Sequence, residues 1–472
     1  LNFEESSLLK TIQDALERNR IEEWDSVYAI INDSSRKVIT IMVFQTKENK
    51  STIKTEIIAG ITTFLSMMYI IIVNPSILSK TGMPFSGVLT ATILVSAFSS
   101  IMMGLYAKNP IVLAPGMGIN SFFTFSVVIG MNERWETALG AVFWSGVVFL
   151  LLSVFNIRTA IVKAIPKPLK EAIAVGIGLF IAFTGFTEAG FIVSNPDTVV
   201  GIGSLDATTV VFLIGLLVTA VMVVKQIKGG LIIGIVITTL LAIPLGRFYG
   251  QTEIVQWKGV LAAPDFSLLF SLDLLGSLKL SLIPTMFALL FVDLFDSLST
   301  FIGIAEASGL KDADGEPRNL KKSLIVDSIS TLISGLCGTS SGSSYIESAT
   351  GIAAGGRTGL TAVVAGVLFL PFMFFSPLLS VVPSIATAPV LIIVGIFMIT
   401  PVLNINWNKY DDAIPAFLSI ILIPMTYSIT QGIIWGFLSW TAIKLLTGKK
   451  NEVSPMLILV DFLAILELIL NT

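Results

Sequence analysis

The chain has 472 residues, of which 54% are hydrophobic and only 13% charged; 29 Lys and Arg against 32 Asp and Glu leave a formal charge of −3. Soluble domains carry about a quarter charged residues, so this chain reads as a protein that crosses a membrane many times. The single cysteine, Cys337, excludes an intrachain disulfide and a cysteine metal cluster, and the lack of any His excludes imidazole ligands, relays and triads, so a transported proton has to ride on Asp or Glu.

Residues 1–50 are charged, hold no long apolar run and show no signal-peptide pattern. A helix-like stretch, Leu8 to Arg18, precedes a hairpin-like pair, Ser26–Ile31 and Lys37–Phe44. We read this part as an N-terminal cytoplasmic segment without an assigned role, with Met42 as an alternative start.

From residue 54 onward, runs long enough to span a bilayer, about 20 apolar residues each, follow one another. The first seven are read at Thr55–Leu78, Gly87–Tyr106, Ile111–Ile129, Thr137–Phe155, Pro168–Phe186, Thr208–Val224 and Gly230–Phe248. The second seven are Leu280–Ala307, Leu320–Leu336, Thr339–Ala354, Gly359–Ser376, Ala386–Thr400, Ile414–Tyr427 and Gln431–Leu446. A final apolar run, Met456–Leu470 within the tail 451–472, carries Asp461 and Glu467 and is expected to be an interfacial or partly inserted helix. Lys and Arg favour the loops assigned to the cytoplasm by about four to one, which places both termini there.

Two of these spans are broken. Span three contains Asn109-Pro-Ile-Val-Leu-Ala-Pro-Gly-Met-Gly-Ile-Asn120, and span ten contains Gly338-Thr-Ser-Ser-Gly-Ser-Ser-Tyr-Ile-Glu347. Non-helical backbone at membrane depth survives only inside protein or beside a watery cavity. Their offset of seven spans is odd, so a second seven-span unit enters the membrane inverted, as in transporters whose site lies between two broken helices. The expected fold is an all-α polytopic protein with 14 spans in a 7+7 inverted repeat.

Intramembrane carboxylates are costly and mark function by default. Asp293, Asp296, Thr300 and Gly303 are spaced 0, +3, +7 and +10 and share one helix face. Asp293 is expected to contact substrate, and Asp296 to orient the site or relay a proton. Asp327 is expected to tie two helices together. Asn120 and Glu347 follow the two breaks at nearly equivalent places, where each can cap a helix, bind a ligand, or do both. Helices starting in mid-membrane present free N–H groups and a partial positive end, and Gly116, Gly118 and Gly342 allow tight backbone there. Phe122, Phe123 and Tyr345 are candidates for flat apolar contact. Carboxylates seek N–H donors and backbone amides seek acceptors, so a small planar neutral molecule with adjacent N–H and C=O edges fits. A purine has that pattern, though the residues alone do not separate it from a pyrimidine or a small amide.

At these residues the chain resembles the azaguanine-type purine permeases of the nucleobase–ascorbate transporter superfamily. The resemblance covers roughly Lys54 to Lys450 and rests on Ala59-Gly-Ile-Thr-Thr-Phe-Leu-Ser-Met-Met-Tyr-Ile with Val73-Asn-Pro, Ala114-Pro-Gly-Met-Gly-Ile-Asn120, Phe291-Val-Asp-Leu-Phe-Asp, and the block Thr339 to Ala362. It implies a core (about 54–155 and 280–376) and a gate (about 168–248 and 386–446), with a short strand in each broken span and substrate between them and span eight. It also implies Asn120, Asp293 and Glu347 as substrate-binding positions. Asp296, Thr300, Gly118, Ser344 and Tyr345 are expected to serve substrate or proton coupling.

The function expected is proton-coupled uptake of purine nucleobases across a bacterial cytoplasmic membrane by an elevator-like movement, with guanine and hypoxanthine ahead of adenine. No cofactor, metal or nucleic acid is expected; the sequence does not give the oligomeric state, and the resemblance leaves a homodimer open, since gate-domain dimers occur in relatives. The alternatives are a carrier of uracil or xanthine, an anion carrier of the same architecture, which would want a positive site, and an aspartyl protease built on Asp293 and Asp327, which lacks the Gly-x-Gly-Asp signature.

Overall fold

A computed structural model of the protein describes residues 44, 46, 48–155, 166–248, 259–312 and 315–470. Apart from Phe44, the N-terminal helix and hairpin expected from the sequence lie outside the described residues.

The chain is a mostly helical, multi-pass membrane protein. Helices α1 (Ile53–Met67) and α2 (Ile70–Leu78) form one span, interrupted where the N–H groups of Ile71 and Ile72 bond back only three residues to Met68 and Tyr69. Thr52 caps α1, its hydroxyl accepting from the Thr55 N–H at 3.1 Å. Next come α3 (Phe85–Met102), strand β1 (Leu113–Pro115), the short α4 (Met117–Ser121) running into a wide helical turn Phe122–Gly130, and α5 (Trp135–Val154). Helix α6 (Lys167–Glu188) leads into an exposed hairpin of β2 (Ile192–Asn195) and β3 (Val199–Ile202), followed by α7 (Ala207–Val224) and α8 (Gly230–Phe248).

The second half repeats the order. It holds α9 (Ile283–Ser308), α10 (Leu320–Cys337), strand β4 (Gly342–Ser344), α11 (Ser348–Ala353), α12 (Gly359–Phe369), α13 (Ser384–Phe397), α14 (Tyr410–Met425), α15 (Ile429–Leu446) and α16 (Pro455–Leu470). Among the described residues nine helical segments are long and apolar enough to cross a membrane. The other five segments read as spans are the two broken ones, α8, α14 and α10; the last carries Lys321, Lys322 and Asp327.

Packing sorts the helices into two groups. In one, α1 and α3 lie against α12, α5 and α3 against α10, and α9 against α5. In the other, α6 lies against α13 and α14, α14 against α15, and α7 and α8 against each other and α13. Small residues allow the closest approaches: a Cβ on Gly60 would stand 2.7 Å from the Thr361 carbonyl oxygen. Glu56, fully buried in the first turn of α1, accepts from the N–H groups of Arg357 (2.9 Å) and Thr358 (3.2 Å) and from the Thr361 hydroxyl (2.6 Å), so one carboxylate caps the start of α12.

The hairpin β2–β3 is an element that the sequence reading lacks. Its signal is two β-branched runs flanking Asn195-Pro-Asp, where the Asn195 side chain accepts from the Asp197 N–H at 2.8 Å. The final apolar run is one helix, α16, packed on α15 and α9.

Candidate functional site

The two broken segments meet each other. β1 and β4 pair antiparallel with Leu113 opposite Ser344, Ala114 opposite Ser343 and Pro115 opposite Gly342. The Gly116 N–H bonds the Ser341 carbonyl at 2.9 Å and the Tyr345 N–H bonds the Val112 carbonyl at 3.0 Å. Each segment thereby satisfies backbone that the other would leave unpaired. A two-stranded ladder satisfies only alternate groups, and side chains serve its outer edges. The Ser344 N–H donates to Ser297 Oγ of α9 (3.2 Å), and the Thr331 hydroxyl of α10 lies 3.2 Å from the Gly342 carbonyl.

A cavity opens beside this ladder, with about 500 Å³ of space counting its open mouth. One wall is Ser343, Ser344, Tyr345 and Glu347, together with Gly118 and Met117 from the other break. Asp296 and Thr300 of α9 and Tyr69 from the interruption in the first span complete the polar side. Val394, Phe397 and Met398 at the end of α13 face them from the second helix group. The cavity therefore lies between the two groups, and among the described residues no Lys or Arg lines it.

The two carboxylates on its wall are half-buried and each is held by one hydroxyl. Tyr69 donates to Glu347 Oε1 (2.7 Å), and Ser343 donates to Asp296 Oδ2 (3.0 Å). Tyr345, in turn, is fixed by its hydroxyl on the Pro115 carbonyl (2.5 Å). Each carboxylate keeps further acceptor capacity for a ligand's N–H groups.

Of the residues singled out from the sequence, Gly118, Asp296, Thr300, Ser344, Tyr345 and Glu347 line this cavity. Asn120 and Asp293 are fully buried behind its wall. Asn120 accepts through Oδ1 from the Ser340 hydroxyl and so ties the two breaks together. Asp293 accepts through Oδ2 from the Thr331 hydroxyl, and its Oδ1 has no hydrogen-bond partner among the described residues. Asp327 accepts from the Ser344 hydroxyl at 3.4 Å. Phe122 and Phe123 point into the apolar interior; of the three aromatic candidates Tyr345 lines the cavity, joined there by Tyr69 and Phe397. Sequence reasoning also missed Tyr69, whose one signal was a phenol amid the apolar first span. It missed Val394 and Met398 too, which carry no signal because a lining aliphatic looks like any other in a span.

One other acidic cluster could be mistaken for a cation site. The carboxylates of Asp411, Asp412 and Glu452 converge, but the Lys444 ammonium sits among them at 2.7–2.8 Å, so the protein supplies its own cation.

Residues 54–434 match the model of a family described as the Permease family. The chain is 43% identical over 430 residues to the adenine permease AdeP of Escherichia coli (strain K12), covering 90% of this chain and 95% of that one. It is 42% identical over 435 residues to the guanine/hypoxanthine permease PbuO of Bacillus subtilis (strain 168), covering 90% and 99%. Its fold resembles the transmembrane domain of a cyanobacterium bicarbonate transporter, BicA, with a TM-score of 0.60 at 16% identity over 81% of this chain and 97% of that one.

Proposed function

We propose a function from one premise: the chain belongs to the permease family, and it is a purine nucleobase permease, not an enzyme. Its finer activity, in our reading, is proton-coupled uptake of purines, with guanine and hypoxanthine ahead of adenine. The observation that carries this is the placement of Asp296 and Glu347 on one cavity wall, with Ser343, Ser344 and Tyr345 between them. Two carboxylates select for N–H donors. Guanine and hypoxanthine share an N1–H donor beside a C6 carbonyl, which adenine, with an unprotonated N1, does not offer; in guanine the exocyclic amine adds a second donor next to N1–H that a single carboxylate can accept with its other oxygen.

Asp296 and Glu347 can divide the work: one, ionised, accepts the N–H donors of the base, and a proton on the other removes the second charge from the site. That is a sufficient basis for coupling. Asp293 and Asn120 act behind the wall in this reading, as supports of the two breaks. The helix group containing α1, α3, α5, α9, α10 and α12 serves as the core that carries substrate. The group containing α6, α7, α8, α13, α14 and α15 serves as the gate. Fourteen spans in a 7+7 inverted repeat, with both ends in the cytoplasm, follow from the same reading.

An anion carrier is disfavoured because, among the described residues, the cavity is lined by two acids and no Lys or Arg. The test is uptake into proteoliposomes of labelled guanine, hypoxanthine and adenine, with and without an inward proton gradient, in competition with uracil and bicarbonate. Saturable, gradient-driven purine uptake that bicarbonate does not inhibit supports the reading. Uptake of bicarbonate but not purine contradicts it.

A further inference from the structure

Thr331 has one hydroxyl hydrogen and two acceptors. Its Oγ1 lies within hydrogen-bond reach of Asp293 Oδ2 and 3.2 Å from the Gly342 carbonyl oxygen. All three residues are buried. Gly342 cannot be served from across the ladder. Gly116 and Ser341 form a hydrogen-bonded pair, so the neighbouring pair, Pro115 and Gly342, is the non-bonded one and the Gly342 carbonyl points away from β1 toward α10. A hydroxyl on α10 is its partner.

We propose that Thr331 is a positioning residue that transmits the protonation state of Asp293 to β4, the strand that lines the substrate cavity. When Asp293 is ionised it can only accept, so Thr331 gives its hydrogen to Oδ2 and Gly342 is left without a donor. When a proton is taken up on Oδ2, that hydrogen is donated to Thr331 Oγ1, and the Thr331 hydrogen turns to the Gly342 carbonyl. The chain Asp293–Thr331–Gly342 is then complete and no hydrogen is shared. Leaving a buried carbonyl unbonded is costly, so the two states hold β4 with different firmness. Ser343 and Ser344 move with that strand, and Ser343 is the donor to Asp296. Among the described residues, the ionisable groups that act on Asp293 are Asp327 on α10 and Asp296 one turn along α9.

This inference rests on the permease reading, and its test separates the two. The affinity of the full-length protein in lipid nanodiscs for labelled hypoxanthine is measured from acid to neutral pH for the unsubstituted protein, Thr331→Ser, Thr331→Val and Asp293→Asn. Thr331→Ser keeps the hydroxyl and should keep the pH dependence of the unsubstituted protein. Thr331→Val should lose at least half of that dependence. Asp293→Asn, whose amide takes up no proton over this pH range, should bind with an affinity that no longer follows pH; this variant carries the test even where Thr331→Val fails to fold. Full pH dependence in Thr331→Val or in Asp293→Asn overturns the relay and leaves the permease reading standing, as does pH-independent binding by the unsubstituted protein. Absence of any purine binding by the unsubstituted protein overturns the permease reading and the relay with it.

Discussion

The Tyr69 hydroxyl donates a 2.7 Å hydrogen bond to Glu347 Oε1, joining the interruption of the first span to the start of the second broken helix. Tyr69 is itself buried and lines the cavity beside Glu347, so its hydroxyl holds the carboxylate in place while lone pairs remain on it for a ligand. Tyr69→Phe removes the donor and keeps the ring. A hydrogen bond to a charged group is worth about 1.5–3 kcal/mol, so purine affinity should fall by about tenfold or more. Equilibrium binding of labelled purine checks this, with an unchanged melting temperature showing that the loss is local.

Asn120 and Ser340 form the corresponding tie between the two breaks. Asn120→Ala leaves the buried Ser340 hydroxyl without its acceptor, and Ser340→Ala leaves the Asn120 carbonyl without its donor. Each should lower stability by about 1–3 kcal/mol. The double variant should lose less than the sum, because the second truncation removes the group that the first one orphaned. Thermal unfolding of the four proteins measures that coupling; strict additivity would show that the two side chains do not share a bond.

How far the site could be read in advance depends on what each signal was. The breaks were legible because a run dense in Gly, Pro and Ser rarely continues as helix inside a membrane span, and from them came the meeting of span three with span ten. The individual roles were harder. Asp293 and Asp296 are three residues apart, which on a helix puts them about 60° apart around the axis. That is close enough to look like one stripe, yet it is enough to send Asp296 to the cavity and Asp293 to Thr331 on the neighbouring helix. Glu56 was not singled out from the sequence; its role as the cap of α12 depends on a helix start some 300 residues away, which no local pattern carries. The apolar lining from α13 was silent for the same reason.

Lys80 and Glu188 form an ion pair of 2.5 Å that joins the end of the first span to the end of α6, and so links the two helix groups. Glu188 is nearly buried there. The Tyr427 hydroxyl is bonded to Thr187 (2.8 Å) and its carbonyl to the Ser126 hydroxyl (2.9 Å) at the same end of the bundle. These contacts close that end, which in our topology is the external one. Removing one partner of such a pair strands the other charge. Glu188→Gln should therefore favour opening, read as faster labelling from outside of a cysteine introduced at Thr300 in a variant whose Cys337 is replaced. Equal labelling rates with and without Glu188→Gln would show that the pair does not hold this end shut.

Asp265, in the loop that precedes α9, accepts from the Ser86 hydroxyl (2.6 Å) and the Ser267 N–H (2.9 Å). The Ser86 bond above all, then those from Ser267, hold its carboxyl below its ordinary range against the opposing effect of burial. A carboxylate depressed in the folded state contributes stability that is fully present above its unfolded value, about 3.9, and is lost as pH falls through the lower folded value. Melting temperature in detergent should drop on acidification below that range. Asp265→Asn should be less stable at neutral pH and should lose a smaller part of its stability in acid. A variant that keeps the full acid-dependent drop would show that Asp265 does not contribute to it.

The central claim is that the cavity beside the paired strands binds a purine through Asp296 and Glu347. Its most direct test is equilibrium binding of labelled guanine or hypoxanthine to purified, folded Asp296→Asn and Glu347→Gln, beside the unsubstituted protein. We expect tight, saturable binding by the unsubstituted protein, a loss of affinity of at least tenfold in each variant, and no gradient-driven accumulation in proteoliposomes containing Glu347→Gln. Purine affinity unchanged in both variants, or no purine binding by the unsubstituted protein, would contradict the account.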